Sequence, residues 1–170
     1  MKLLALLAAA AVLNFNIMGF AEAGIYQEKG SKIMHTEEFT TVFDRGAKND
    51  AYAQYFTGQS YLNMLSLKQV VIGNVTFEPG CRNNWHIHQA AKGGGQILLV
   101  TGGRGYYQQW GQEARELHPG DVVNIPAGVK HWHGAAPDSW FAHLAIEVPG
   151  EQTSNEWCEP VSDEEYGKLK

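Results

Sequence analysis

The chain has 170 residues, 18 acidic and 13 basic side chains, and a formal net charge of −5 at pH 7. This length accommodates one domain of ordinary size with a substantial core. The modest negative charge, with no block of lysine and arginine, argues against a nucleic-acid partner. Nineteen glycines, with many aromatic and β-branched residues, favour strands and tight turns over a helical bundle.

The N-terminal segment has the composition of an export signal. Lys2 precedes an apolar run over residues 3–13 that is too short to span a bilayer. The small residues of Ala-Glu-Ala at positions 21–23 then form a cleavage site. We expect residues 1–23 to be a signal peptide and the mature protein to be periplasmic or secreted, with no stable membrane anchor. Mass analysis of the mature N-terminus tests this, and the alternative is an N-terminal helix of a cytoplasmic protein.

The rest of the chain consists mainly of short strand-like runs. Residues 24–60 are polar and are interpreted as an N-terminal arm, in which Asp50 caps a short helix. Residues 61–150 alternate such runs with Gly and Pro turns, which predicts an all-β sandwich or barrel. Residues 151–170 form a C-terminal tail with a short helix near residues 162–169. The predicted strands are residues 61–67, 70–77, 85–88, 96–101, 105–110, 122–125, 131–133 and 141–148.

Three histidines and one glutamine are the strongest candidates for metal ligands. Alternate side chains of a strand share a face, so His86 and His88 present two imidazoles side by side. Gln96 opens the next apolar strand, and His131 follows a tight Pro-Ala-Gly turn. Three imidazoles and one amide oxygen suit a divalent first-row metal with open positions. The alternative is a set of unrelated strand histidines that bond to the backbone.

At these residues the chain resembles the cupins. The first cupin motif reads Gly, five residues, His-x-His, a short gap, Glu, six residues and Gly. Its positions are occupied here by Gly80, His86, His88, Gln96 and Gly103. Gln96 replaces the usual Glu, and the gap before it is longer than usual because it carries Lys92 and three glycines.

The second cupin motif reads Gly, five residues, Pro-x-Gly, two residues, His, three residues and Asn. Its positions are occupied by Gly120, Pro126, Gly128, His131 and Ala135, with alanine in place of the usual asparagine. The two motifs together are specific, and the resemblance covers about residues 66–150. A narrower likeness, through residue 166, is to the small bacterial cupins that include the manganese-dependent hydroxynitrile lyases. It extends to cupins associated with carboxymuconolactone decarboxylase domains.

The resemblance implies a fold, a metal and an assembly. The fold is the cupin double-stranded β-helix, a jelly-roll barrel. The cofactor is one divalent ion per chain, with manganese favoured by the likeness and iron, zinc and nickel left open. The assembly is a homodimer. The ion would be held by His86, His88, Gln96 and His131.

His143 is the candidate for proton transfer. It begins an alternating strand in which His143, Ala145 and Glu147 share one face. The resemblance supports this role, because the inward histidine of cupin hydroxynitrile lyases falls at the matching position. The implied reaction is a lyase step on a small carbonyl or hydroxy compound, in which the metal polarises the oxygen and His143 moves a proton. The alternative for His143 is a structural histidine, and Glu147 is a weaker candidate.

Two other functions stay open from the sequence. One is a cupin dioxygenase, and the other is a cupin that binds a small molecule without catalysis. The amide of Gln96 leaves the site more positive than a carboxylate would, which favours stabilising negative charge on a substrate oxygen. The two cysteines, Cys81 and Cys158, are expected to be free thiols.

Overall fold

The computed structural model describes residues 39–169. The predicted signal peptide and residues 24–38 of the predicted arm lie outside these residues, so export stays a prediction. None of the helices within residues 39–169 has the length and apolar character that a membrane crossing needs.

Strands make up most of the described chain. The eight predicted runs correspond to observed strands whose ends differ by no more than two residues. A 3-10 helix, Asp50–Tyr55, precedes the second strand, and a short helix α1, Asp163–Tyr166, follows the last. In chain order the strands are β1 (Ala47–Lys48), β2 (Phe56–Thr57), β3 (Ser60–Ser66), β4 (Ile72–Phe77), β5 (Arg82–Asn83), β6 (His86–Gln89), β7 (Lys92–Gly93), β8 (Gln96–Gly103), β9 (Gly105–Gln109), β10 (Arg115–Leu117), β11 (Val122–Ile125), β12 (Lys130–Ala135), β13 (Phe141–Glu147), β14 (Gly150–Glu151) and β15 (Ser154–Trp157).

The strands form two main sheets, which confirms the all-β cupin fold. The first has the order β1-β3-β4-β13-β8-β11. The second has the order β10-β9-β12-β5-β2 and is extended by β6, which pairs with β12 and β15. In residues 39–169 the backbone ladders do not run from one sheet to the other. A common apolar core joins the sheets, with Phe77, Leu98 and Phe141 from the first packing with Leu117 and Ala135 from the second.

The C-terminal segment is part of the second sheet. Strand β15 pairs antiparallel with β6, and this pairing places Trp157 opposite His86. Helix α1 begins after Ser162, whose hydroxyl accepts a hydrogen bond from the Glu165 amide. The buried Tyr166 hydroxyl donates to the Ala135 carbonyl at 2.6 Å. The tail thereby closes over the outer side of the second sheet and adds a strand beside the predicted ligands.

Two local expectations differ from the structure. The N-cap position of the 3-10 helix is Asn49 rather than Asp50, and its side chain makes no capping bond. Instead, the Asn49 amide side chain bonds to the Ser60 hydroxyl on β3, so a tertiary contact replaces the local cap. Both cysteines are free thiols, as expected, with Cys81 buried and Cys158 partly buried.

Candidate metal and active site

A cavity of about 420 Å³ lies beside the predicted ligands. Its volume is within the usual range for small-molecule sites. Most of its wall is apolar and comes from β3, β4, β13, β15 and the chain around the 3-10 helix. The polar groups gather where β6, β8 and β13 meet. The side chains on the cavity wall include Tyr52, Phe56, Leu62, Met64, Val75, Asn83, His86, His88, Gln96, His133, Ala145, Glu147 and Trp157.

Strand pairing brings the three predicted histidine ligands together. His86 and His88 alternate with partly buried neighbours on β6, so both rings face inward and are buried. His131 on β12 pairs directly with His86. The ring centroids lie 4.1 Å apart for His86 and His131, 5.2 Å for His86 and His88, and 5.6 Å for His88 and His131. Gln96 begins β8 and lines the same cavity.

Each of these histidines is oriented by a bond to its Nδ1 atom. Nδ1 lies 3.0 Å from the Asn84 carbonyl oxygen in His86 and 2.9 Å from the Val129 carbonyl oxygen in His131. In His88 the partner is Oε2 of Glu147, at 3.0 Å. These oxygens only accept, so Nδ1 carries the proton and Nε2 keeps its lone pair. This is the arrangement of a histidine that binds metal through Nε2.

Among the predicted ligands, three buried acceptor atoms are left without a partner in the described residues. They are Nε2 of His88, Nε2 of His131 and Oε1 of Gln96. Burying a polar atom without a hydrogen bond costs free energy, and these atoms belong to the residues predicted to bind metal. A divalent ion bound by imidazole nitrogens and one amide oxygen would satisfy them. The residues present therefore fit the predicted cofactor.

The structure also brings in a fourth histidine. Ring nitrogens of His86, His131 and His133 all lie within 4.8 Å of one another, a spacing that could hold a metal ion. The ring of His133, however, bonds to the Asn83 amide at 3.0 Å and to Nε2 of His143 at 3.1 Å. Both ring nitrogens of His133 are engaged, whereas Nε2 of His88 and Nε2 of His131 have no partner within residues 39–169. We therefore retain His86, His88, Gln96 and His131 as the predicted ligands.

Burial keeps the imidazoles of His86, His131, His133 and His143 neutral. Desolvation, reinforced by His131, lowers the pKa of His86 well below its usual value. Desolvation also lowers the pKa of His131 to about 4 and that of His143 to about 4, and it lowers the pKa of His133. Only neutral imidazole can ligate a metal or accept a proton, so the site is in a competent state at neutral pH.

His143 lies one residue behind the cavity surface. It is completely buried on β13, and Nε2 is 3.1 Å from Nδ1 of His133. His133 lines the cavity, whereas His143 is absent from its wall. Asn83 fixes His133 further, because its Oδ1 accepts from the His133 backbone amide while its Nδ2 donates to the ring. The predicted proton-transfer residue is thus connected to the cavity through His133.

Comparison with known proteins identifies the family. The cupin domain pattern matches residues 73–145. An (R)-mandelonitrile lyase from Granulicella tundricola is 43% identical over 118 residues, which cover 67% of this chain and 87% of that protein. The chain belongs to the cupin family. A solved cupin-like protein from Thermotoga maritima is 42% identical to this cupin, with a TM-score of 0.65, covering 75% of this chain and 95% of that one.

A more distant cupin shares only the fold. A sugar phosphate isomerase of the cupin superfamily from Silicibacter pomeroyi is 19% identical, with a TM-score of 0.52. The match covers 69% of this cupin and 78% of that chain.

Two contacts in the site of this cupin were not predicted from the sequence. Asn83 was not considered, although it lines the cavity and holds His133. Glu147 was considered only as a weak catalytic candidate, yet its carboxylate accepts bonds from His88 and Gln96 at 3.0 and 3.1 Å. The alternation of His143, Ala145 and Glu147 signalled that Glu147 faces inward, but nothing local indicated its partners.

Proposed function

We propose that this cupin is a metal-dependent lyase for a small, uncharged carbonyl or hydroxy compound, with hydroxynitrile-lyase-like chemistry. The observation that carries the proposal is that the cavity joins unpartnered metal-type acceptors to the neutral pair His133 and His143. The likeness to an (R)-mandelonitrile lyase supports it.

The cavity wall favours an uncharged substrate with an apolar part. Phe56, Leu62, Val75 and Trp157 line it, and the described lining residues include no lysine or arginine. A carboxylate or phosphate substrate would therefore lack a cationic side chain to bind it. An aromatic or branched aldehyde, ketone or cyanohydrin matches the volume and the apolar wall.

Different residues of the chain have different roles in cyanohydrin cleavage. A divalent ion held by His86, His88, Gln96 and His131 would supply a Lewis acid for the substrate oxygen. His133 faces the cavity, and its Nε2 takes the hydroxyl proton when the substrate hydroxyl replaces the Asn83 amide as its partner. His143 holds the His133 ring in position and shares the charge through their hydrogen bond. The carbon–cyanide bond breaks as the carbonyl forms, and the departing cyanide takes the proton back from the histidine pair.

Site variants assayed on mandelonitrile test the proposal. His86→Ala should lose most of its metal and its activity, because it removes a ligand. His143→Ala should keep about one metal ion per chain and lose about 10²–10⁴-fold in turnover, the usual contribution of a proton-transfer group. Metal is measured by elemental analysis and turnover by the release of benzaldehyde. His118→Ala is the control, since His118 is exposed on a turn.

The results separate the competing functions. Full activity in His143→Ala together with loss of activity in His131→Ala would contradict the proton-transfer role. Activity that requires oxygen would favour a dioxygenase, whereas lyase activity persists under anaerobic conditions. A wild-type protein that binds metal but turns over no cyanohydrin would favour the small-molecule-binding alternative.

A further inference from the structure

Glu147 occupies a position that connects two of the proposed ligands. It is the last residue of β13, where it pairs directly with Gln96 at the start of β8. Its side chain is 37% exposed and lines the cavity. The carboxylate therefore lies in the cavity wall beside the proposed metal site, on a strand that provides none of the ligands.

One carboxylate accepts two hydrogen bonds from these ligands. Oε2 accepts from Nδ1 of His88 at 3.0 Å, and Oε1 accepts from Nε2 of Gln96 at 3.1 Å. An ionised carboxylate can only accept, so both neighbours must donate to it. Nε2 of His88 and Oε1 of Gln96 are then directed away from Glu147, and these are two of the unpartnered buried acceptors.

The same contacts bear on the charge of the site. An amide ligand carries no charge, so the position where cupins usually place glutamate contributes none here. Both carboxylate oxygens of Glu147 accept hydrogen bonds from proposed ligands, Oε2 from His88 and Oε1 from Gln96. The carboxylate that cupins usually place at position 96 is here at position 147, on the residue that pairs with Gln96 across β13 and β8.

We infer that Glu147 is a positioning residue, which orients His88 and Gln96 so that both present an acceptor atom to the metal. This inference rests on the proposed metal site. A glutamine side chain can present either its oxygen or its nitrogen, and only an acceptor at position 147 selects the oxygen for the cavity. Gln96 acts as a ligand because Glu147 holds its amide nitrogen.

The variant Glu147→Gln tests the inference with little change in shape. The new amide can accept a bond from one neighbour but faces the other with an NH2 group, so either His88 or Gln96 loses its orientation. We expect the affinity for Co²⁺ or Zn²⁺ to fall about 10- to 100-fold, the usual effect of removing a group that orients a ligand. Affinity is measured by competition with a chelator, without any substrate.

A double variant restores the pattern of donors and acceptors. In Q96E/E147Q the acid and the amide exchange places, so the amide donates to the carboxylate at position 96 and still accepts from His88. We expect its affinity for Co²⁺ to return to within about threefold of wild type. Glu156→Gln is the matched control, because Glu156 is exposed on β15 and its carboxylate accepts a hydrogen bond from the Gln89 side chain and not from a proposed ligand.

Three results would overturn the inference. They are an E147Q variant that binds Co²⁺ as tightly as wild type, an E156Q variant that weakens binding as much as E147Q does, and a double variant that binds as weakly as E147Q. A wild-type protein that binds neither ion would overturn the proposed metal site as well. Wild-type binding with no effect in E147Q would leave the proposed function standing and reject only the role of Glu147.

Discussion

At the scale of single residues, burial determines the protonation of His143. Its side chain is completely buried, and desolvation lowers its pKa to about 4 from an ordinary value of 6.5. His143 touches Phe77 and Phe141 as well as His133, so no charged side chain among these contacts would stabilise an imidazolium. The residue stays neutral in the folded protein over a pH range in which an exposed histidine would be charged.

The buried histidine makes stability depend on pH. As pH falls below 6.5 the unfolded chain binds a proton at position 143, whereas the folded chain does not until pH approaches 4. The part of the unfolding free energy that depends on neutral His143 is therefore fully present above pH 6.5 and is lost as pH falls towards 4. Between pH 7 and pH 5 this residue alone should account for about 2 kcal/mol of lost stability.

Urea unfolding of the metal-free protein at the two pH values measures this loss. His143→Gln should reduce the difference in unfolding free energy between pH 7 and pH 5, because the titrating group is gone. His118→Ala, which removes an exposed histidine, should leave the difference unchanged. An equal pH dependence in wild type and His143→Gln would show that His143 does not titrate differently in the two states.

The predicted ligands could be found from the sequence because local spacing determines which side of a strand each residue occupies. His86 and His88 needed only the alternation of β6, and the structure brings both to the cavity. The bonds of Glu147 and His133 could not be found this way. They depend on β13 lying beside β8 and on the approach of two rings from different sheets, which no short pattern encodes.

At the scale of elements, the long gap before Gln96 is an ordered loop. Strand β7 pairs with β14, which follows β13 and lies outside the two main sheets. The Gly94 amide donates to the Pro149 carbonyl at 3.1 Å, and the Val148 amide donates to the Gly95 carbonyl at 3.0 Å. These bonds hold the insertion against the end of β13 and allow Gln96 to align with Glu147 despite the extra residues.

Gly95 is the position in this loop that tolerates change least. Its φ is +93°, and a Cβ atom there would lie 2.3 Å from the Ile125 carbonyl oxygen. Gly120 has a similar φ of +94° but nothing within 4 Å of an added Cβ. Gly120→Ala should therefore cost about 1–2 kcal/mol from backbone strain alone. Gly95→Ala should cost about 1–3 kcal/mol more, because the backbone must move.

Urea unfolding of both variants measures the difference. Equal costs for Gly95→Ala and Gly120→Ala would mean that the loop shifts freely and does not depend on the close approach to Ile125.

The sequence predicted the long strands well and the short ones not at all. Strand β8 alternates buried and more exposed residues over eight positions, which is a readable period. Strands β7 and β14 have two residues each and are too short to show one. Strand β15 is mostly exposed and polar, so only its pairing with β6 makes it a strand.

At the scale of the whole molecule, apolar residues lie side by side on three neighbouring strands of the first sheet, β11, β8 and β13. Leu99 on β8 pairs with Val122 on β11 and with Leu144 on β13, and Ile97 pairs with Ile146. Leu99 is 36% and Val122 is 45% exposed. A contiguous apolar patch of this kind on a sheet is typical of an interface, and it supports the proposed homodimer.

Light scattering at micromolar concentration should give the mass of two chains. Leu99→Lys should shift the protein towards monomer, because the charge would be buried in the interface without a partner. Leu67→Lys is the control, since Leu67 is 72% exposed and lies outside this patch. A monomeric mass for wild type, or an equal effect of both substitutions, would contradict a dimer through this face.

Two stacked aromatic residues beside the cavity, Tyr55 and Trp157, form a frame that supplies none of the proposed metal ligands. Trp157 on β15 stacks on Tyr55 at the end of the 3-10 helix, with ring centroids 4.5 Å apart, and its ring lies 4.9 Å from His86. Neither segment supplies a proposed metal ligand. Substitutions of these two residues can therefore change the shape of the cavity wall without removing a proposed ligand. Because the wall residues and the proposed ligands come from different segments, the substrate can change during evolution while the reaction stays the same. The frame is therefore the place where a protein engineer would begin.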